Sequence, residues 1–421
     1  KFQFIKHNID KQELSFKLIN NLIVIPLTIN NQELSFILDT GVNKTILFNL
    51  YKNDSIGLNN VKKVLIKGLG TGEPMEALLS RNNKFSVKNI IGFEQDLYVI
   101  LKDGFDISAK MGTTIHGIIG YQLLKDFIVK INYKTKKIVF YNPKTFKKRR
   151  CKKCEVLPLE FYKNKPYINV SVKIDSTDIK VKLLVDSGGT DAIWLFEDTK
   201  TELKTSKKYF RDILGEGFSG TVFGNRSKIK ELTLGRFKIK KPTVSFLDSS
   251  STFNARHFKE RNGSIGGNIL KRFKVWIDYP NKKITFKKNA SFSKGFYYNM
   301  SGLQIVYDGQ ELVREKTVNN QLEYLGGQGI DKNNSILFVN SYTYNFKPKY
   351  KIYNVVEGSP AAKVGVLKDD IIVRINGKPA YEYSLEEIIY LFQTKPNKKI
   401  KLKVKRGITD LKFEFNLEKR I

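Results

Sequence analysis

Phe36-Ile37-Leu38-Asp39-Thr40-Gly41 ends an apolar run in Asp-Thr-Gly, and Val181-Lys182-Leu183-Leu184-Val185-Asp186-Ser187-Gly188 ends another in Asp-Ser-Gly. An apolar run that stops at such a triplet reads as a buried strand delivering one carboxylate to a turn. One such triplet carries little information, because tripeptides of common residues arise by chance. The surroundings repeat as well. Gly68-Leu69-Gly70-Thr71-Gly72 begins 29 residues after Asp39, and Gly215-Glu216-Gly217-Phe218-Ser219-Gly220 begins 29 residues after Asp186. Gly117 to Phe127 lines up with Gly263 to Phe273, and the match runs on through Ile131-Asn132-Tyr133 against Ile277-Asp278-Tyr279 to Phe140 against Phe286. One domain plan is written twice, and each copy brings one carboxylate.

Over residues 20–290 this pattern resembles the aspartic proteases, in which each of two lobes donates an Asp-(Thr/Ser)-Gly. The family order is that triplet, a glycine-rich flap hairpin, then two apolar residues and Gly before a short helix. The first copy fits fully. The second reads Ser264-Ile265-Gly266, with a polar residue at one apolar position. Val42 and Gly189 stand where pepsin-type enzymes carry Ser or Thr, so the chain looks closer to retroviral-type proteases fused head to tail. The resemblance implies a catalytic pair of Asp39 and Asp186, braced by Thr40, Gly41, Ser187 and Gly188. It also implies two substrate-binding flaps, at Gly68, Leu69 and Gly70 and at Gly215, Gly217 and Phe218.

The chemistry explains why two carboxyls are needed. Water attacks the peptide carbonyl directly, so one carboxylate takes a proton from water while the other, protonated, polarises the carbonyl. Carboxyls about 3 Å apart cannot both ionise cheaply, and the pair holds one shared proton. The sequence leaves open which Asp carries it.

The 421 residues suggest about three domains, and the composition of 41% hydrophobic and 12% aromatic residues is enough to build cores. No apolar run approaches the roughly 18 residues of a membrane helix. The chain opens on Lys1 with neither an initiator Met nor a signal-like start, and we expect a targeting segment to have been removed. Short β-branched runs such as Leu22–Ile29 alternate with turn signals such as Asn30-Asn31, and long helical periodicity is almost absent before residue 290. The expected fold class is mainly β: an N-terminal aspartic-protease lobe over 1–148 and a second over 149–295, each with one short helix after Gly120 or Gly266. A third, α+β domain is expected over 296–421.

Other chemistries find little support. Gly215 to Gly220 is formally G-x-G-x-x-G, but Thr221-Val222-Phe223 favours a strand where a dinucleotide site needs a helix. A hairpin tip folding over a peptide reads better, since Gly permits positive φ and close backbone approach. Cys151-Lys152-Lys153-Cys154 lacks a second half-site for zinc and a βαβ context for redox work. It reads as a small disulfide loop in an oxidising compartment or as two free thiols otherwise. His7, His116 and His257 are scattered, so no metal site or cofactor is expected, and no Ser/His/Asp set is evident. The net charge of +33 is spread over all three domains instead of one face, so nucleic-acid binding is not expected.

The stretch Lys351 to Pro379 contains Gly358-Ser359-Pro360-Ala361, Gly365-Val366, Asp369-Asp370-Ile371-Ile372 and Ile375-Asn376-Gly377. It resembles a PDZ domain of the bacterial, protease-associated kind. Asn376-Gly377 is a strong hairpin signal. Ser384 with Glu387 opens the expected groove helix Leu385–Phe392 as a capping box. The resemblance implies a carboxylate-holding loop at Ser301, Gly302, Leu303, Gln304 and Ile305, with residues 307–350 as an insertion. Such a domain recruits partner or substrate tails by strand addition.

The function this implies is an aspartic endopeptidase acting on peptide or protein substrates, located outside the cytoplasm of a bacterium. The opposing reading is a catalytically inactive peptide-binding or scaffold protein that keeps the fold and the PDZ groove. Ser264 gives that reading a foothold, and the intact Asp pair argues against it.

Overall fold

The computed structural model describes the chain except residues 7, 50–55, 67–73, 101–106, 148–149, 198, 218–219, 249–251, 253–254, 256, 318–340 and 394. Two compact units emerge, one of Lys1–Met300 with Lys419–Ile421 and one of Ser301–Glu418. The second unit thus begins at Ser301, five residues beyond the boundary read from the sequence. The last three residues of the chain belong to the first unit.

In the first lobe, the strands Leu22–Ile29 and Gln32–Leu38 form a hairpin across Asn30-Asn31, both at positive φ. Gln32–Leu38 then pairs in parallel with Gly117–Ile119, Leu38 opposite Ile119. In the second lobe, Thr177–Val185 pairs in parallel with Arg261–Ile265, Val185 opposite Ile265. The two repeated motifs, about 80 residues apart in the chain in each copy, are therefore neighbours in the sheet. In each lobe they end together at the Asp-(Thr/Ser)-Gly loop. Each is followed by one short helical turn, Tyr121–Leu124 and Gly267–Leu270.

The lobes meet in a shared six-stranded sheet. Ile128–Asn132 of the first runs antiparallel to Phe273–Asp278 of the second, Ile131 opposite Val275. Lys11–Ser15 and Cys154–Pro158 close its two edges. Alternation of apolar and polar residues along these strands places Ile131, Phe140, Val275 and Phe286 in one apolar core continuous across both lobes. The Cys151–Cys154 disulfide closes just ahead of the edge strand Cys154–Pro158.

In the other unit, Leu303–Thr317 and Ser341–Val355 pair as one long ribbon, with a bulge between Tyr307 and Gln310. The expected insertion at 307–350 is thus an extension of two core strands; its residues 318–340 lie outside the described residues. Leu303–Thr317 is an edge strand, and the helix Leu385–Leu391 lies against it. That helix starts in the expected capping box of Ser384 and Glu387. Asn376 and Gly377 both take positive φ in the expected tight turn.

Candidate active site

Each Asp is held by the strand beside it. The Asp39 N–H donates to the Ile119 carbonyl at 2.8 Å, and the Asp186 N–H donates to the Ile265 carbonyl at 2.9 Å. The loops then cross-link. The Thr40 N–H donates to Ser187 Oγ, and the Ser187 N–H donates to Thr40 Oγ1, both at 3.0 Å. Each hydroxyl passes on to the opposite strand, Thr40 Oγ1 to the Val185 carbonyl at 2.6 Å and Ser187 Oγ to the Leu38 carbonyl at 2.7 Å. Both side chains are fully buried. Thr40 and Ser187 therefore meet at one point between the lobes.

Removing one hydroxyl strands buried partners, which costs about 1–3 kcal/mol. Ser187→Ala and Thr40→Val are each expected to lower unfolding free energy by about that much. The double variant should depart from the sum of the two, because each hydroxyl accepts the N–H of the residue that carries the other. Denaturant unfolding of the three variants measures this; full additivity would mean that the grip is not a unit.

The Gly41 N–H donates to Asp39 Oδ1 at 2.6 Å, and the Gly188 N–H donates to Asp186 Oδ1 at 3.1 Å. A Cβ on Gly41 would lie 3.0 Å from both Asp39 Oδ1 and Asp186 Oδ1. The two carboxylates thus share one small space. Asp39 is 9% exposed. Burial, and after it the facing Asp186 carboxylate, push Asp39 well above the usual carboxylate range. Asp186 is half-buried.

Two basic residues that the sequence reading missed come from the second lobe. Lys165 opens the strand Lys165–Ile174 and is half-buried. Burial and then the Arg261 charge pull its ammonium down, while Asp39 and Asp186 pull it up. Arg261 is 5% exposed; its Nε donates to the Gly263 carbonyl, its guanidinium bonds Tyr167 and lies over the Phe196 ring. Burial lowers it, and the charge of Asp186 opposes that. Its repeat partner in the first lobe is the fully buried Ile115. A charge in one copy where the other has an apolar residue was the signal available.

The first-lobe flap residues Gly68, Leu69 and Gly70 lie outside the described residues, as does Phe218. The arms around the first set are placed, with Ile66 opposite Met75. In the second lobe Gly215 sits beside a bulge in the arm Phe210–Gly217, opposite Val222, and Gly217 faces Gly220. Gly215 and Gly217 are therefore arm residues, because pairing continues to the last residue before the tip. Ser264 is buried within Arg261–Ile265, where its strand keeps the parallel pairing that supports Asp186. His116 accepts the Ser35 N–H on Nδ1 and is built into the sheet.

In the PDZ unit, Gly302 takes φ +83°, and a Cβ there would stand 2.1 Å from Ser359 Oγ. The Ser301 carbonyl accepts the Ala361 N–H, and Ser301 Oγ accepts the Leu303 N–H at 3.0 Å. Leu303 and Ile305 point into the core. The expected carboxylate loop thus lies at the start of the edge strand, with one of its amides already bonded to Ser301.

Among the described residues, no group of three or more His, Cys, Asp or Glu is arranged to hold a metal ion. Among the described residues, too, no helix is long and apolar enough to cross a membrane.

The aspartyl protease family matches residues 25–123, and the PDZ domain family matches residues 351–406. The carboxy-terminal processing protease CtpA of Bacillus subtilis (strain 168) is 27% identical over 132 residues, 31% of this chain and 25% of that protein. A probable serine protease do-like of Buchnera aphidicola subsp. Acyrthosiphon pisum (strain APS) is 31% identical over 90 residues, 21% of this chain and 17% of that protein. The chain thus spans a quarter or less of the length of these curated relatives. A solved aspartic proteinase from Irpex lacteus aligns with a TM-score of 0.46 at 13% identity, covering 68% of this chain and 99% of that one. This chain is a two-lobed, mainly β protein whose first lobe matches the aspartyl protease family over residues 25–123 and whose C-terminal part matches the PDZ domain family over residues 351–406.

Proposed function

We propose that the chain is an aspartic endopeptidase in which Asp39 and Asp186 activate water against a peptide bond. The observation that carries this reading is the reciprocal Thr40–Ser187 grip, which brings two carboxylates from separate lobes into one buried space. Burial favours the neutral form of Asp39, so Asp39 carries the shared proton and Asp186 is the base. Water oxygen attacks the carbonyl carbon as Asp186 takes one water proton, and Asp39 gives its proton to the carbonyl oxygen. Asp186 then gives the proton it took to the amide nitrogen of the resulting gem-diol while Asp39 takes a proton from a diol hydroxyl; the C–N bond breaks, a carboxylic acid and an amine leave, and the pair returns to its starting protonation. The PDZ domain recruits the tails of substrates or partners, a role supported by its edge strand beside the helix Leu385–Leu391. We place the protein outside the cytoplasm of a bacterium, a location with which the Cys151–Cys154 disulfide agrees.

The test is cleavage of a diverse peptide library from about pH 3 to pH 8, with products identified by mass spectrometry. Internal cleavage blocked by a statine-type inhibitor and untouched by a serine-directed sulfonyl fluoride is the expected result. No cleavage at any pH, or inhibition by the serine reagent, rejects the reading.

The pH profile also tests Lys165. Its charge favours the ionised form of Asp39 and so works against burial. Removing it strengthens the hold on the shared proton. Lys165→Met is therefore expected to move the alkaline limit of activity to higher pH, read from kcat/KM against pH. An unmoved or lowered limit would mean that Lys165 does not act on the pair.

A further inference from the structure

Arg226 occupies the returning arm of the second-lobe hairpin, Gly220–Lys228, with Phe210 on one side and Ser245 on the other. Its side chain is 13% exposed and grips two carboxylates. Nη1 donates to both Asp191 oxygens at 3.0 Å, and Nε donates to Asp212 Oδ2 at 2.7 Å. Asp212 belongs to the outgoing arm, Phe210–Gly217. Asp191 belongs to the catalytic loop, five residues after Asp186, and also accepts Trp194 Nε1 at 2.7 Å and Ser245 Oγ at 2.9 Å. One guanidinium therefore ties both arms of the hairpin root to the loop that carries a dyad carboxylate.

The Tyr298 ring covers this guanidinium at 5.3 Å, and its hydroxyl lies 2.8 Å from the Ser227 and Val244 carbonyls. The repeat does not carry the arrangement. The fifth residue after Asp39 is the exposed Lys44, whose Nζ sits 4.3 Å over the Tyr98 ring. Fold alone does not require such a cluster, because desolvating three charges is expensive and an apolar set of similar volume packs at least as well.

We propose that Arg226 is a positioning residue that registers the second-lobe hairpin against the catalytic loop, and with it a bound peptide against Asp186. The proposal rests on the endopeptidase reading for its effect on turnover, and on geometry alone for the coupling of hairpin to loop. A misplacement of about 1 Å at such a site costs up to about 100-fold in rate.

The test uses the full chain and three variants. Arg226→Lys keeps the charge and loses the fork. Arg226→Met leaves Asp191 and Asp212 unpaired. Arg226→Met combined with Asp191→Asn and Asp212→Asn removes the buried charges together, so that the fold is retained without the tie. Expected are an approximately 10- to 100-fold loss of kcat at little-changed KM in the triple variant, and partial rescue in Arg226→Lys. Hydrogen exchange should quicken together in residues 210–217 and 186–192 and stay unchanged in 75–100. A triple variant with wild-type kcat, or exchange that quickens in the hairpin but not in the loop, overturns the proposal. If the wild type cleaves nothing yet hairpin and loop exchange together, the endopeptidase reading falls and the tie stands. If cleavage depends on Asp186 but not on Arg226, the tie falls and the reading stands.

Discussion

Asp186→Asn is expected to reduce kcat by about 10³-fold or more while leaving the fold intact, because the amide cannot take a proton from water. Asp39→Asn should lose as much, by removing the proton that polarises the carbonyl. The two differ in stability. Asp39 is buried against Asp186 and its pKa is raised, so it holds its proton more tightly in the folded chain than in the unfolded one. The stability this confers is complete below the unfolded-state pKa and is lost as pH rises through the folded value. Each tenfold change in proton affinity is worth about 1.4 kcal/mol. Wild type should therefore lose stability between acidic and neutral pH, and Asp39→Asn should lose less over the same interval. Paired kinetics and pH-dependent melts of the two variants measure both effects. Residual cleavage near the wild-type rate in either variant would remove that carboxyl from the mechanism.

Gly188→Ala is the second large effect. A Cβ at Gly188 would fall 2.2 Å from the Asp39 carboxyl carbon, with Asp39 Oδ2 equally close. Neither group has room to yield, since Asp39 is buried and its loop is pinned by the Thr40–Ser187 grip. Overpacking of this kind costs about 1–3 kcal/mol or more. Displacing the carboxyl should also cut turnover by about 100-fold. The neighbouring Gly189→Ala is the control, because a Cβ there meets the Asp186 carboxyl at an ordinary 3.5 Å. Equal loss in both variants would point to general disruption of the loop; loss confined to Gly188 identifies the contact with Asp39.

Local pattern and spacing were enough to place Asp39, Asp186, Thr40 and Ser187, since each follows a buried strand whose sequence recurs. The paired helical turns after Gly120 and Gly266 and the capping box at Ser384 were legible for the same reason. These features depend on residues within a few positions of one another. The flap glycines were less so: Gly215 and Gly217 read as part of a hairpin tip, and pairing with the opposite arm extends to Gly217, which puts both in the arm.

Tertiary structure alone decided the electrostatics. Asp39 is raised above the usual carboxylate range because it is buried, and that burial depends on packing across both lobes. Lys165 and Arg261 approach the pair because Lys165–Ile174 and Arg261–Ile265 flank Thr177–Val185 on its two sides. Arg226 reaches Asp191 over 35 residues through the pairing of its arm with Thr243–Leu247. In two of these cases the repeat held a trace, a charge where the other copy has a different residue: Arg261 against Ile115, and Asp191 against Lys44. The sequence by itself determined which carboxylates meet, because strand and turn signals are local. Their protonation and the groups that steer them waited on the fold, because desolvation and charge act through space between residues that only strand pairing brings together.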